Sequence, residues 1–99
     1  MDFARIRRDA RPITLTEWNE IIASHTFFEQ VPDRTGTNPF TNEKEFFSGV
    51  GKAYYVVDNE RVGNASLEDG EILTTGLPRD VCQQVAQRLY ASVFEDDRS

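Results

Sequence analysis

The chain has 99 residues, the length of one domain of common size, and a formal net charge of −6. Its single cysteine, Cys82, excludes an intrachain disulfide and zinc sites built on paired cysteines, and it suits a reducing compartment. The N-terminal stretch lacks the apolar segment of a secretory signal, and no window approaches the roughly 18 apolar residues of a membrane span. We therefore expect one cytoplasmic domain over residues 1–99, without membrane association.

The charge is unevenly distributed along the chain. Residues 1–11 carry four arginines and two aspartates, whereas the remaining residues include seven basic and fifteen acidic ones. An acidic body disfavours binding to nucleic acid or to an anionic membrane, because both repel it. It favours a basic protein partner, although mild acidity is also an ordinary aid to solubility.

The first predicted element is a strand over residues 3–8, at an edge of the sheet, with arginines on its solvent face. The segment ITLTEWNEIIASH then predicts a helix over residues 15–24. Thr14 as N-cap and Glu17 three positions later form a capping box, and Ile13 and Trp18 stand at the positions of a hydrophobic staple. The residues expected on the apolar side recur at helical spacing: Leu15, Trp18, Ile21, Ile22 and His25.

Strand-like runs follow this helix. Residues 27–31 predict a short strand, and residues 32–43, rich in proline, glycine and asparagine, predict a loop of two turns. A meander of four strands is predicted after this loop, over residues 44–47, 52–58, 61–68 and 71–75.

Two tight turns set the expected registers of the meander. A turn at Asn59 and Glu60 would place Val57 opposite Val62 and Asp58 opposite Arg61, both favourable pairs. A type I′ turn at Asp69 and Gly70 would place Leu67 opposite Ile72, but Glu68 opposite Glu71, a pair of like charges. Five carboxylates would then surround two neighbouring turns.

A second helix is predicted to begin at Pro78, because proline suits the first turn of a helix. Val81, Val85 and Leu89 form its apolar stripe, with Cys82 and Ala86 beside it. A short strand, ASVF, and a flexible acidic tail at about residues 95–99 complete the chain. The predicted fold class is α+β, with one antiparallel sheet and two amphipathic helices on one face. The sheet would contain a meander of about four strands and one or two short edge strands.

No residue pattern in the chain indicates catalysis, and we expect no cofactor, metal or catalytic residue. His25, the only histidine, is expected to bond the free carbonyls at the end of the first helix. Cys82 follows Arg79 near a helix N-terminus, which would suit a reactive thiolate, but its place in an apolar stripe favours core packing. The N-terminal arginines are expected to pair within the protein. The acidic turns do not have the spacing of a calcium loop.

Three segments resemble a group of small uncharacterised bacterial proteins: ITLTEW at residues 13–18, NPFTNE at 38–43, and AQRLYASVF at 86–94 before the acidic EDD. Members of this group pair an I-[ST]-x-x-E-W helix start with an N-P-x-T-G-E turn. Asn42 stands here where glycine is usual, and asparagine tolerates the same left-handed backbone. The group brings no established activity, but the resemblance implies a small immunity or accessory factor.

We interpret the chain as a non-enzymatic module that binds another protein, and its acidic charge favours a basic one. The alternatives are a thiol-dependent sensor or small enzyme that uses Cys82, and a structural subunit that forms homodimers through an edge strand. Phe40, an aromatic in a polar loop, is either tucked under that loop or offered to a partner. The candidate partner-binding residues are Arg34, Asn38, Phe40, Glu68, Asp69 and Glu71.

Overall fold

A computed structural model describes residues 3–95 of the chain. It contains two helices, α1 (Leu15–Ser24) and α2 (Arg79–Leu89). The strands are β1 (Phe3–Arg7), β2 (Phe28–Gln30), β3 (Arg34–Thr37), β4 (Lys44–Phe47), β5 (Lys52–Val57), β6 (Glu60–Glu68), β7 (Glu71–Thr75) and β8 (Ser92–Glu95). None of the helices over residues 3–95 has the length and apolar character needed to cross a membrane.

Six of the strands form one sheet in the order β2-β5-β6-β7-β1-β8, in which every neighbouring pair is antiparallel. The predicted α+β class and antiparallel pairing are thus confirmed. The main sheet has six strands rather than a meander of about four, because β1, β2 and β8 join β5, β6 and β7 in it. β4, predicted as the first strand of the meander, pairs instead with β3 in a separate two-stranded sheet. Residues 34–37, predicted as loop, supply that partner strand.

The prediction of an edge position for β1 is wrong. β1 lies between β7 and β8, and it forms an antiparallel ladder with each of them. β8 ends at Glu95, so this residue belongs to a strand rather than to the predicted tail. The rest of that tail, residues 96–99, lies outside the described residues.

The turn between β5 and β6 differs from the prediction by one residue. Asp58 and Asn59 both have positive φ, 51° and 65°, and Val57 therefore pairs with Glu60 rather than with Val62. Asp and Asn tolerate this left-handed backbone better than Glu60 would, which explains the position of the turn. A β-bulge between Tyr55 and Val56 then shifts the register of the remaining pairs.

The second predicted turn is confirmed. Leu67 pairs with Ile72 and Glu68 with Glu71 across a turn in which Asp69 and Gly70 have φ of 51° and 79°. The two turns are not neighbours, however, since they lie at opposite ends of the nine-residue strand β6. The five acidic residues therefore do not form one cluster.

Helix α1 begins as predicted. Both hydrogen bonds of the capping box between Thr14 and Glu17 are present. Trp18 has no exposed surface and donates its indole N–H to the carbonyl of Gly51 at 2.9 Å. Leu15, expected on the apolar stripe, is instead 38% exposed because it lies at the first position of the helix.

One buried cluster contains residues from both helices and from alternate positions of the strands. In β1 and β7 the inward residues are Ala4, Ile6, Ile72 and Thr74, of which Thr74 donates to the carbonyl of Ala4 at 3.1 Å. The predicted stripe of α2 is fully part of this cluster, which includes Val81, Cys82, Val85, Ala86 and Leu89. The core therefore fixes the sheet and the helices against each other.

Candidate functional site

The most exposed apolar surface on residues 3–95 lies on the hairpin formed by β3, β4 and their connecting loop, which we call the arm (residues 34–47). Its strands pair Arg34 with Phe47 and Thr35 with Phe46. The exposed fractions are 95% for Phe40, 65% for Phe46 and 45% for Phe47. These three rings contribute little to the buried core, and they make the arm the main exposed aromatic surface of the described residues.

The loop at the tip of the arm is closed by its own hydrogen bonds. The amide of Asn38 donates to the carbonyl of Glu43 at 2.8 Å, and the amide of Asn42 donates to the carbonyl of Asn38 at 2.8 Å. The side-chain oxygen of Asn38 accepts from the amide of Phe40 at 2.9 Å, and Asn42 has a φ of 58°, the left-handed backbone expected from the sequence. The Phe40 ring is therefore not tucked under the loop but exposed to solvent.

The base of the arm is tied to the main sheet through Gly49. Its amide donates to the carboxylate of Asp33 at 2.7 Å, and its carbonyl accepts from the side-chain amide of Gln30 at 2.6 Å. A Cβ at this position would stand 1.9 Å from the carbonyl oxygen of Val31, so only glycine permits this approach. The arm is thus held in a defined orientation.

The candidate residues fall into two groups. Arg34, Asn38 and Phe40 all lie on the arm. Glu68, Asp69 and Glu71 lie at the β6–β7 turn. The segment that leads from the arm into β5 contacts the β6 end of this turn, since the amide of Leu67 donates to the carbonyl of Gly51 at 2.8 Å.

Glu71 differs from the other two acidic candidates. It is only partly exposed and forms ion pairs with Arg5 at 3.5 Å and with Arg7 at 3.8 Å. These arginines also offset the like-charge pair of Glu68 and Glu71 that the register imposes. Glu71 therefore contributes less negative potential at the surface than Glu68 and Asp69, which are exposed.

The N-terminal arginines pair within the protein, as expected. Arg8 is nearly buried, with 4% of its side chain exposed, and it forms two hydrogen bonds with the carboxylate of Glu17. These bonds, with a further one from the amide of Thr14, lower the pKa of Glu17 from 4.5 to about 2. All four arginines thus have a carboxylate partner within the protein.

The two side chains most capable of catalysis, those of Cys82 and His25, lie in environments typical of structural residues. Cys82 is fully buried, as predicted, and burial raises the pKa of its thiol, against a weaker opposing contact with Thr74. His25 places Nδ1 2.9 Å from the carbonyl of Ile21 at the end of α1, as expected. No group of three or more metal-binding side chains occurs within residues 3–95.

Sequence reasoning missed the exposure of Phe46 and Phe47, and it did not identify Lys52, Tyr54 or Arg61 as surface-forming neighbours of the arm. A local signal existed for the phenylalanines, since two consecutive apolar residues in a strand point to opposite sides and one of them must face outward. No local signal existed for the others, because they lie on β5 and β6 and meet the arm only in the fold.

Comparisons with protein-family models, with curated proteins and with solved structures found no match to this chain. The function proposed for it therefore depends on the geometry of the arm and on the charge around it.

Proposed function

We propose that this protein is a non-enzymatic, cytoplasmic protein-binding module that docks onto another protein through the tip of its arm. The observation that carries the proposal is Phe40, whose ring is 95% exposed on a loop closed by three of its own hydrogen bonds. Because the loop backbone is already closed by these bonds, docking needs to fix little more than the Phe40 side chain, and large aromatic residues are favoured as interface anchors. An immunity or accessory factor, as the resemblance implies, would act in this way.

The charge of the chain as a whole supports a basic partner. On the arm itself Glu43 and Glu45 are offset by Lys44 and Arg34, but the chain carries a net charge of −6. A partner with an apolar pocket for Phe40 and a basic surface around it would complement this protein, and the long-range field would increase the rate of encounter.

The architecture we propose has both helices on one face of the six-stranded sheet, with the arm projecting beyond them. The shared buried cluster of the two helices and the inward strand residues supports this arrangement. It leaves the arm free of the core, so that substitutions at the tip can test binding without altering the fold.

Among the alternatives, the thiol-dependent one is disfavoured because Cys82 is inaccessible and its thiol pKa is raised. A homodimer remains an alternative with an observation in its favour, since β8 ends the sheet with Phe94 48% exposed. Sedimentation of the purified protein distinguishes it directly, because a homodimer through β8 would persist after substitution of Phe40.

The experiment compares proteins captured from a lysate of the source organism by the wild-type chain and by Phe40→Ala. Tyr90→Asn provides the matched control, because Tyr90 is 91% exposed elsewhere and its left-handed backbone suits asparagine. We expect at least one protein to be captured by the wild type and by the control but lost with Phe40→Ala. Identical capture by all three chains would overturn the proposal.

A further inference from the structure

A cleft separates the arm from the neighbouring strands β5 and β6. Its volume is about 300 Å³, and its lining consists of Val31, Pro32, Arg34, Phe47, Ser48, Lys52, Tyr54 and Arg61. Arg34 and Phe47 belong to the base of the arm, whereas Lys52, Tyr54 and Arg61 belong to the main sheet. The cleft combines residues from both, and no single segment of the chain contains it.

The cleft is locally basic in an acidic protein. Arg61 is neutralised by Glu29, at 2.6 Å, but Arg34 and Lys52 form no ion pair with any residue between 3 and 95. Two further cations in this range, Lys44 and Arg88, also form none, and neither of them lines the cleft. Two uncompensated cations facing one small cavity form a site for a negative charge.

The aromatic side chains give the same cleft flat apolar walls. The guanidinium of Arg34 lies 5.2 Å from the centre of the Phe47 ring, and that of Arg61 lies 4.4 Å from the centre of the Tyr54 ring. These stacked contacts hold each ring against one cation. Phe47 nevertheless remains 45% exposed, so part of its ring is available to a ligand.

We propose that this cleft binds a small aromatic anion, a planar ring that carries a phosphate or a carboxylate. The ring packs against Phe47 and Tyr54, while Arg34 and Lys52 bind the oxyanion and Ser48 can donate a further hydrogen bond. Arg34 suits this role because its planar guanidinium can bind two oxygens at once. The volume lies at the lower limit of about 300–1,000 Å³ for ligand sites, so a ring with one anionic group fits and a dinucleotide does not.

This site is independent of the proposed docking by Phe40, which lies at the opposite end of the arm. Ligand binding in the cleft requires the base of the arm and the sheet, whereas docking requires the loop. Phe40→Ala should therefore leave binding in the cleft unchanged, and failure of one proposal can be separated from failure of the other.

Phenyl phosphate and benzoate are the probes, each titrated to millimolar concentration into the full, isotope-labelled chain and followed by NMR. We expect saturable shifts of the amides of Arg34, Phe47, Lys52 and Tyr54 with at least one of the two. Inorganic phosphate and phenol test the two halves of the ligand separately, and each should bind more weakly than phenyl phosphate. Equal binding of inorganic phosphate would overturn the role of the ring, and no saturable shift with either probe would overturn the site.

A pair of double variants tests the cations. Arg34→Gln with Lys52→Gln should weaken binding roughly tenfold or more, because charge-assisted hydrogen bonds are lost. Lys44→Gln with Arg88→Gln removes the same charge outside the cleft and should change the affinity little. Unchanged amide spectra away from the cleft verify that both chains are folded. Equal weakening by the two double variants would mean that the anion responds only to net charge, and the proposal would be wrong.

Discussion

Arg8 donates two hydrogen bonds to the carboxylate of Glu17, with nitrogen–oxygen distances of 2.9 and 2.5 Å. The same guanidinium donates to the carbonyls of Leu89 at 2.8 Å and of Pro12 at 3.0 Å. Arg8 thus connects the end of β1, the first turn of α1 and the last turn of α2. The carboxylate of Glu17 is the only anion that compensates this nearly buried cation among the described residues.

This pair predicts how stability depends on pH. The pKa of Glu17 falls from 4.5 to about 2 in the folded protein. A carboxyl with a lowered folded pKa contributes stability that is fully present above its unfolded pKa and is lost as pH falls through its folded pKa. We therefore expect this contribution to disappear between about pH 4.5 and about pH 2.

Glu17→Gln should remove that part of the acid dependence and should destabilise the protein at neutral pH, because Arg8 keeps no compensating charge. Urea unfolding of both chains over this pH range measures the effect. Glu20→Gln is the control, since Glu20 is exposed on the same helix and forms no ion pair within residues 3–95. Parallel pH profiles for wild type and Glu17→Gln would contradict the prediction.

Trp18 should be a major contributor to stability. It has no exposed surface, and its ring packs edge-on against Phe28 at 5.4 Å between centres. Trp18→Ala should reduce the free energy of unfolding by about 3–5 kcal/mol, the range for large aromatic residues in a core. Denaturant unfolding measures the change, and a loss below about 1 kcal/mol would contradict the packing.

Trp18→Phe separates the ring from the indole hydrogen bond. It should cost less than the alanine substitution, because the carbonyl of Gly51 would still accept from the amide of Leu67 at 2.8 Å. A loss as great as that of Trp18→Ala would mean that the hydrogen bond, and not burial, holds the helix to the sheet.

The elements that were predicted correctly are those whose causes lie close together in the chain. The capping box of Thr14 and Glu17 and the turn at Asp69 and Gly70 each depend on a few adjacent residues. The position of β1 depends instead on β8, whose residue Phe94 pairs with Arg5 across most of the chain. Local pattern cannot show that a later strand will cover an edge.

The candidate site was predictable only in part for the same reason. The left-handed backbone of Asn42 follows from its residue type, and the loop was recognised from its composition. The exposure of Phe40 and the separation of the β3–β4 pair from the main sheet depend on which strands pair. The residues of β4, KEFF, do not indicate by their own pattern which strand will be their partner. The cleft combines residues from the arm, β5 and β6, so no sequence window contains it.

Cys82 should be inert in the native protein. The thiol is fully buried beside Thr74, with burial raising its pKa, so little thiolate forms and no reagent reaches it. We expect negligible reaction with DTNB under native conditions and complete reaction in denaturant. Cys82→Ala gives the blank for the assay. Rapid labelling of the native chain would contradict the burial and would restore the thiol-dependent alternative.

The last prediction concerns the encounter with a basic partner, identified by capture through the arm. Exposed charges are screened beyond roughly 8–10 Å near physiological ionic strength, so association should slow as salt is added. Glu68→Lys with Asp69→Lys should lower the association rate more than it raises the dissociation rate, as substitutions of rim charges do. Glu71 is not substituted in this variant because it forms ion pairs with Arg5 and Arg7.

Asp58→Lys with Glu60→Lys is the matched control, since it reverses the same charge at the far end of β6. It should slow association less, because the Glu68–Asp69 turn lies nearer to the arm. The amide of Leu67, just before that turn, donates to the carbonyl of Gly51 in the segment that leads from the arm into β5. Phe40→Ala should act differently and chiefly raise the dissociation rate, since an anchor acts in the formed complex. Surface plasmon resonance at several salt concentrations gives both rates. If neither added salt nor either double substitution changes the association rate, the acidic surface does not steer the partner and its charge serves solubility.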